Sequence, residues 1–205
     1  MEHGNLHSLI PLADFKAILG LDDRENALSQ FCLTTATFSI EQYCKRRLVR
    51  KKRFEFLPFY GDYIFPLRDY PVREVLAVYQ THALKEAIIV EPDLYHTMPD
   101  CGELENIPFC LSVSPALRLV RDLSGLKVHY RAGYVPGKAG DPCGVPADLA
   151  SACLELAAWN MSRYRGRRIG MTGNVRGSGK DGEHLEASMP ENVRGLLEPY
   201  RRRTI

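Results

Sequence analysis

Apolar residues recur at helical spacing in four stretches of the chain, and between the second and third of these the helical period gives way to short alternating runs. In the first stretch Leu12, Phe15, Ile18 and Leu19 fall at three- and four-residue steps from Pro11 to Leu19, and Gly20 supplies a stop. The second stretch, LDDRENALSQFCLTTATFSIEQYCKRRL, begins acidic and ends basic. That order complements the partial charges of a helix running from about Asp23 to Arg47. Two apolar stripes run along it, one through Leu28, Phe31, Cys32 and Phe38, the other through Leu33, Ala36, Ile40, Tyr43 and Cys44. A helix so patterned is expected to be covered on two sides, by its own core and by a second subunit.

The third stretch, Val145 to Arg168, reads VPADLASACLELAAWNMSRYRGRR. Pro146 suits a first helical turn, Asp148 adds negative charge there, and Arg163, Arg165, Arg167 and Arg168 bring positive charge to the other end. Ala150, Cys153, Leu154, Ala157, Met161 and Tyr164 form one apolar face, which is expected to be buried. Opposite lie Asp148, Ser151, Glu155 and Ser162, and among them Trp159, the only tryptophan. Its expected cover is either another segment of the same chain or a neighbouring subunit, since interfaces are enriched in aromatics. Pro190 opens the fourth stretch, PENVRGLLEPYRR, whose apolar spots are Val193, Leu196 and Leu197 and whose end is the basic Arg201, Arg202 and Arg203.

Between Arg50 and Tyr134 seven short runs have strand character: RFEFLPF, DYIFPL, REVLAVYQ, EAIIV, LYHTM, FCLSV and LKVHYRAGY. Turn formers separate them, among them Tyr60-Gly61-Asp62, Asp69-Tyr70-Pro71 and Glu91-Pro92-Asp93. In the third run Val72, Glu74, Leu76 and Val78 alternate with Arg73, Val75, Ala77 and Tyr79, as in a half-buried antiparallel strand. The expected fold is α+β: a helical body of a short N-terminal helix, two long helices and a short C-terminal helix, with an antiparallel sheet or small β-sandwich inserted into it. The expected segments are N-terminal helices over 1–49, the β unit over 50–134, a linker and long helix over 135–168, a glycine-rich flexible arm over 169–189, and a C-terminal helix with basic tail over 190–205.

Composition narrows the function classes. At 45% hydrophobic and 25% charged residues the 205-residue chain is ordinary globular material. No apolar run approaches the roughly 20 residues of a membrane span, and MEHGNLHSLIP lacks the basic start and apolar core of a signal peptide. A soluble product made in the cytoplasm, with no membrane partner, is expected. Six cysteines, Cys32, Cys44, Cys101, Cys110, Cys143 and Cys153, form no CxxC pair and read as free thiols. Net charge is only +2, yet basic residues cluster in CKRRLVRKKR, SRYRGRR and PYRRR. Such runs are either solvated surface or contacts to phosphate or an acidic partner.

No chemistry emerges from the motifs. Gly177-Ser178-Gly179-Lys180 falls short of a phosphate-cradling loop, because Asn174 stands where a glycine is required and Asp181 where serine or threonine must follow the lysine. The histidines His3, His7, His82, His96, His129 and His184 show no finger or HExxH spacing, so no metal and no cofactor are expected. There is no GxSxG elbow, and Asp93, Asp100, Glu103 and Glu105 read as solvated loop carboxylates rather than an acid and base pair. An enzyme is not expected.

Four phrases, in their order and spacing, carry a resemblance across most of the chain: ALSQFCLTTATFSIEQYCKRRL, FPLRDYPVREVLAVY, VHYRAGY leading into VPADLASACLELAAW, and MPENVRGLLEPYRR. Together they resemble the head-tail connector, or adaptor, proteins of long-tailed bacteriophages, prophages and gene-transfer particles; the stretch between Ala83 and Ser124 departs from that pattern. The resemblance implies a non-enzymatic homo-oligomeric ring, commonly of twelve subunits, in the virion neck. Such a ring lies between the portal protein and the stopper or tail-completion protein, with DNA passing through its lumen without sequence specificity.

On that resemblance Pro190, Val193, Leu196, Leu197, Tyr200, Arg201, Arg202 and Arg203 would meet the portal. Arg163, Arg165, Arg167 and Arg168 would contact the lumen or portal, and Trp159, Leu33, Ile40 and Tyr43 would meet neighbouring subunits. The competing expectation is a nucleic-acid-binding regulatory module, suggested by the basic clusters, although no recognition helix with a short turn is evident.

Overall fold

The computed structural model describes residues 7–82, 85–99, 108–121, 123–137, 144–166 and 189–202. The chain divides into two compact units, Met1–Lys45 with Pro136–Ile205, and Arg46–Val135. The expected glycine-rich arm up to residue 188, together with Cys101, Cys143, Arg167, Arg168 and Arg203, lies outside the described residues.

The first unit is helical. Helix α1 (Leu12–Leu19) closes on Gly20, whose φ of 63° is the left-handed conformation that glycine adopts without a Cβ penalty. A 3-10 turn at Asp23–Glu25 precedes α2 (Asn26–Cys44). The long helix is therefore shorter than expected at both ends: its acidic start is wound as 3-10, and Lys45, at φ 55°, breaks it before the basic run. Helix α3 (Ala147–Arg165) starts directly after Pro146, and α4 (Glu191–Leu197) runs into a 3-10 turn at Glu198–Tyr200.

Small side chains allow α2 and α3 to approach closely, since Ala36 on one helix and Ala152, Cys153 and Ala157 on the other are fully buried. The buried face of α3 is Leu149, Ala152, Cys153, Leu156, Ala157 and Met161. That corrects the sequence reading: Cys153, Ala157 and Met161 belong to the core, whereas Ala150, Leu154 and Tyr164 sit half-buried on its margin. The offset arises because two helices, α2 and α4, both pack on α3. Thr37 is buried yet satisfied, accepting the Leu9 N–H at 3.2 Å and lying 3.7 Å from the Cys153 sulfur. The described cysteines, Cys32, Cys44, Cys110 and Cys153, are free thiols, and burial pushes the Cys32 and Cys153 thiols up to about 11.

The second unit is built of seven described strands, one for each run read from the sequence: β1 (Lys51–Pro58), β2 (Ile64–Pro66), β3 (Val72–His82), β4 (Lys85–Ile89), β5 (Tyr95–Pro99), β6 (Pro108–Val113) and β7 (Ser124–Ala132). They form two antiparallel sheets, in the orders β1-β7-β3-β4 and β2-β6-β5. One core joins them: Leu126, Val128 and Tyr130 of β7, Val78 of β3 and Leu57 of β1 pack with Phe65 of β2 and Leu111 and Val113 of β6.

Strand β3 does not keep the simple alternation expected of it. Bulges between Val72 and Glu74 and between Val75 and Ala77 each insert a residue against β7 and switch which side chains face inward. Val72 and Val78 are buried, whereas Leu76 points out at 38% exposure.

Leu126→Ala should therefore lower stability by about 2–5 kcal/mol in a denaturant titration, while Leu76→Ala should cost less than about 1 kcal/mol, the chemistry of the two changes being the same. With native protein at pH 7, a maleimide should leave Cys32 and Cys153 unmodified and label them only after unfolding, a difference that peptide mass mapping reads directly.

Candidate inter-subunit face

Helix α2 carries a single charged side chain in 19 residues, Glu41, and folding hides it. Glu41 is 3% exposed, and its Oε2 lies 3.0 Å from His7 Nε2, a hydrogen bond that ties the segment before α1 to the helix. What α2 leaves in the open is uncharged: Asn26, Ala27, Gln30, Phe31, Phe38 and Gln42 are exposed. Phe31 and Phe38, seven residues apart and so on one face, are 52% and 47% exposed. Tyr164 of α3 meets the Phe31 ring edge-on at 5.4 Å, and His7 packs on Phe38 at 4.5 Å, so each exposed ring of α2 has an aromatic neighbour outside the helix. A solvent-facing helix ordinarily carries charge. Depletion of charge around aromatic residues is the composition of an interface core.

The structure divides the residues that the sequence marked for subunit contact. Leu33 and Ile40 are fully buried within the chain, so they are core and not available to a neighbour. Tyr43 is half-buried and donates its hydroxyl to Glu198 Oε2 at 2.9 Å, and that hydrogen bond raises its pKa. Trp159 is half-buried, and within the chain the guanidinium of Arg163, one turn on, sits 4.6 Å from its ring. Phe31 and Phe38 are the exposed members of the α2 stripes. The signal that could have found them was the run of residues from Asn26 to Ile40 without a charge.

The basic residues are similarly engaged. Arg165 pairs with Glu25 of the turn before α2. Arg201 is bonded to Glu198 at 2.9 Å and lies 5.3 Å from the Tyr43 ring, while the Arg202 N–H donates to the Cys44 carbonyl at 2.8 Å. In the C-terminal segment Val193 and Leu197 are fully buried and Tyr200 is 6% exposed, its hydroxyl donating to Asp148 Oδ1 at 2.6 Å. These three hold α4 to the helical unit and are not exposed for a partner; Pro190 and Leu196 are half-buried, and Arg201 and Arg202 are exposed. Within the cluster CKRRLVRKKR, Arg46 is 3% exposed, donating to the Tyr70 carbonyl at 2.7 Å, and Arg53 Nε lies 2.9 Å from Asp69 Oδ2.

Among the described residues no group of three or more His, Cys, Asp or Glu side chains is placed to hold a metal, and no helix is long and apolar enough to cross a membrane.

No family model matches the chain, and no curated protein matches it. Solved structures do. The chain is similar over 96% of its length to 91% of a chain in the neck of an empty gene transfer agent particle computed with C6 symmetry, with a TM-score of 0.61 and 21% identity. It is similar, with the same coverage of each chain, to a chain of the virion of a native gene transfer agent particle, at a TM-score of 0.62 and 22% identity. A chain in the neck of the native particle computed with C12 symmetry gives 0.57 and 20%, again over 96% and 91%. The α+β arrangement described above is thus a fold that these particles also use.

Proposed function

We propose that the chain is a structural protein of a virion neck, a head-tail adaptor that joins copies of itself into a ring. The observation that carries this reading is the likeness over 96% of the chain to chains of gene transfer agent necks and virions. The uncharged α2 face with Phe31 and Phe38 supports it, because a ring subunit must offer aromatic area to a neighbour. Twelve copies is the number we assign, in keeping with the C12 symmetry in which one similar neck was computed.

In this reading the ring lies between the portal and the stopper or tail and surrounds the DNA channel, acting without catalysis or cofactor. The C-terminal segment meets the portal through Pro190, Leu196, Arg201, Arg202 and Arg203, with Val193, Leu197 and Tyr200 anchoring it from beneath. Arg163, Arg165, Arg167 and Arg168 face the lumen or the portal. Trp159 and Tyr43 border the subunit contact, and Leu33 and Ile40 support it from the core side.

Electron microscopy of the chain mixed with its portal protein tests the assignment. A ring stacked on the portal is expected, and no association between the two folded proteins would end it; salt-dependent binding of the isolated chain to duplex DNA would then favour a regulatory module. Phe31→Glu combined with Phe38→Glu should abolish the ring while changing the stability of the single chain by less than about 1 kcal/mol, because both positions are exposed. Particle counts beside a thermal melt distinguish lost assembly from lost folding.

A further inference from the structure

The four-stranded sheet ends in two unlike edges. Strand β1 pairs only with β7 and β4 only with β3, so among the described residues each has one row of main-chain N–H and C=O groups without a strand partner. On β4, Ile88 and Ile89 are 62% and 65% exposed, and as successive strand residues they point to opposite faces. An edge strand bare on both faces is a template for another strand.

Side chains across the ladder fix which residues share the outer face. Phe56 pairs with Lys127, Lys127 with Tyr79, and Tyr79 with Ile89, so Phe56 and Ile89 lie on one face at opposite edges. Phe54, two residues from Phe56, shares that face at 61% exposure. The edges also differ in charge: Lys51 and Lys52 open β1, whereas Glu91 and Asp93 follow β4, and all four are exposed.

We propose that β4 of one copy pairs antiparallel with β1 of the next, joining the four-stranded sheets of neighbouring subunits edge to edge. The register in which Ile89 meets Phe54 also sets Glu91 opposite Lys52 on the outer face, beyond the β4 irregularity that lies between Lys85 and Ile88, so charge and apolar surface match together. Strand count gives the contact its direction. All three neighbouring pairs in this four-stranded sheet are antiparallel, so an antiparallel β4 to β1 junction leaves the next copy's strands pointing as the first copy's do. Repetition is therefore head-to-tail, the type of contact that closes into a ring, whereas β1 on β1 or β4 on β4 gives an isolated two-fold pair. Pairing of β1 with itself would in addition oppose Lys51 and Lys52 to their own copies.

The proposal rests on the ring reading for its biological setting, and short-range cross-linking of the full chain separates the two. In a chain whose Cys101, Cys110 and Cys143 are changed to Ser, Phe54→Cys and Ile89→Cys variants, mixed and treated with a short bismaleimide, should give a covalent dimer absent from that parent chain and from either variant alone. The chain carrying both changes should give a ladder of multimers. Lys52→Glu in the Phe54→Cys chain should reduce the mixed dimer at least several-fold, and Glu91→Lys in its Ile89→Cys partner should restore it, which shows that the loss is not one of folding. A ring seen by microscopy without the mixed dimer overturns the edge pairing and leaves the ring; a ladder without a ring on the portal does the reverse. A dimer from Ile89→Cys alone overturns the proposal in favour of two-fold β4 pairing.

Discussion

A sheet unit can interrupt a helical sequence only if the chain that enters it also leaves it at nearly the same place, and a main-chain clasp enforces this. The Tyr134 N–H donates to the Leu48 carbonyl at 2.7 Å, and the Arg50 N–H donates to the Tyr134 carbonyl at 2.9 Å. Between these bonds Val49 and Tyr134 form a short parallel bridge. Gly133 makes the approach possible: its φ is 100°, and a Cβ there would stand 2.5 Å from the Leu48 oxygen. Beside the clasp Arg46 lies over the Tyr70 ring at 3.7 Å, and the Tyr130 hydroxyl donates to Glu55 at 2.9 Å. Burial and the nearby Glu55 carboxylate raise the Tyr130 pKa, so the phenol remains a donor at any physiological pH. Closing the ends of the β unit in this way removes most of the entropic objection to a long insertion, since the cost of loop closure grows only slowly with length.

The helical unit solves a different problem. A pair of long helices buries one side of α2 against α3, and the ordinary remedy for the other side is a charged surface. Here Glu41, the one charge available, is turned inward to His7, and the outer side is left to Phe31, Phe38 and amides. Turning a carboxylate inward costs desolvation and is sustained only because a partner waits for it. That expense and the exposed rings run against the interests of a solitary domain, and they make sense together if the exposed side is later covered.

What could be read beforehand, and what could not, follows from where the information sits. Seven strands were legible because each is a short apolar run between Gly, Pro, Asp and Asn punctuation, a signal carried by neighbours in sequence. The ends of α1 were legible for the same reason, through Pro11 and Gly20. The simple alternation read in β3 failed because a bulge is a property of two paired strands, and nothing within REVLAVYQ announces it. The face of α3 was read a few residues off because a helix flanked by two neighbours has a wider buried arc than one stripe describes. Leu33 and Ile40 were rightly seen as apolar positions, yet apolar residues on a helix do not say which cover is the chain's own. That decision came from Phe31 and Phe38, which the folded chain leaves in the open. The C-terminal residues Val193, Leu197 and Tyr200 looked like a free docking helix for lack of any local sign that Asp148 and the α3 face would receive them.

Charge placement bears on how such a ring would treat DNA. Every phosphate that a free lysine or arginine neutralises releases counterions and steepens the salt dependence of binding by roughly 0.9 in log–log slope. A conduit with many free cations would hold its cargo. In this chain Arg165 is matched by Glu25, Arg201 by Glu198, Arg131 by Glu74 and Arg53 by Asp69, while Arg163 lies on the Trp159 ring. Pairing of this kind adds little stability where it is exposed, but it reduces the cationic surface offered to a polyanion without removing the arginines that shape the fold. Within the clusters that made the sequence look like a nucleic-acid binder, Arg46, Arg53, Arg163, Arg165 and Arg201 are thus engaged inside the chain, whereas Lys51 and Lys52 stay exposed.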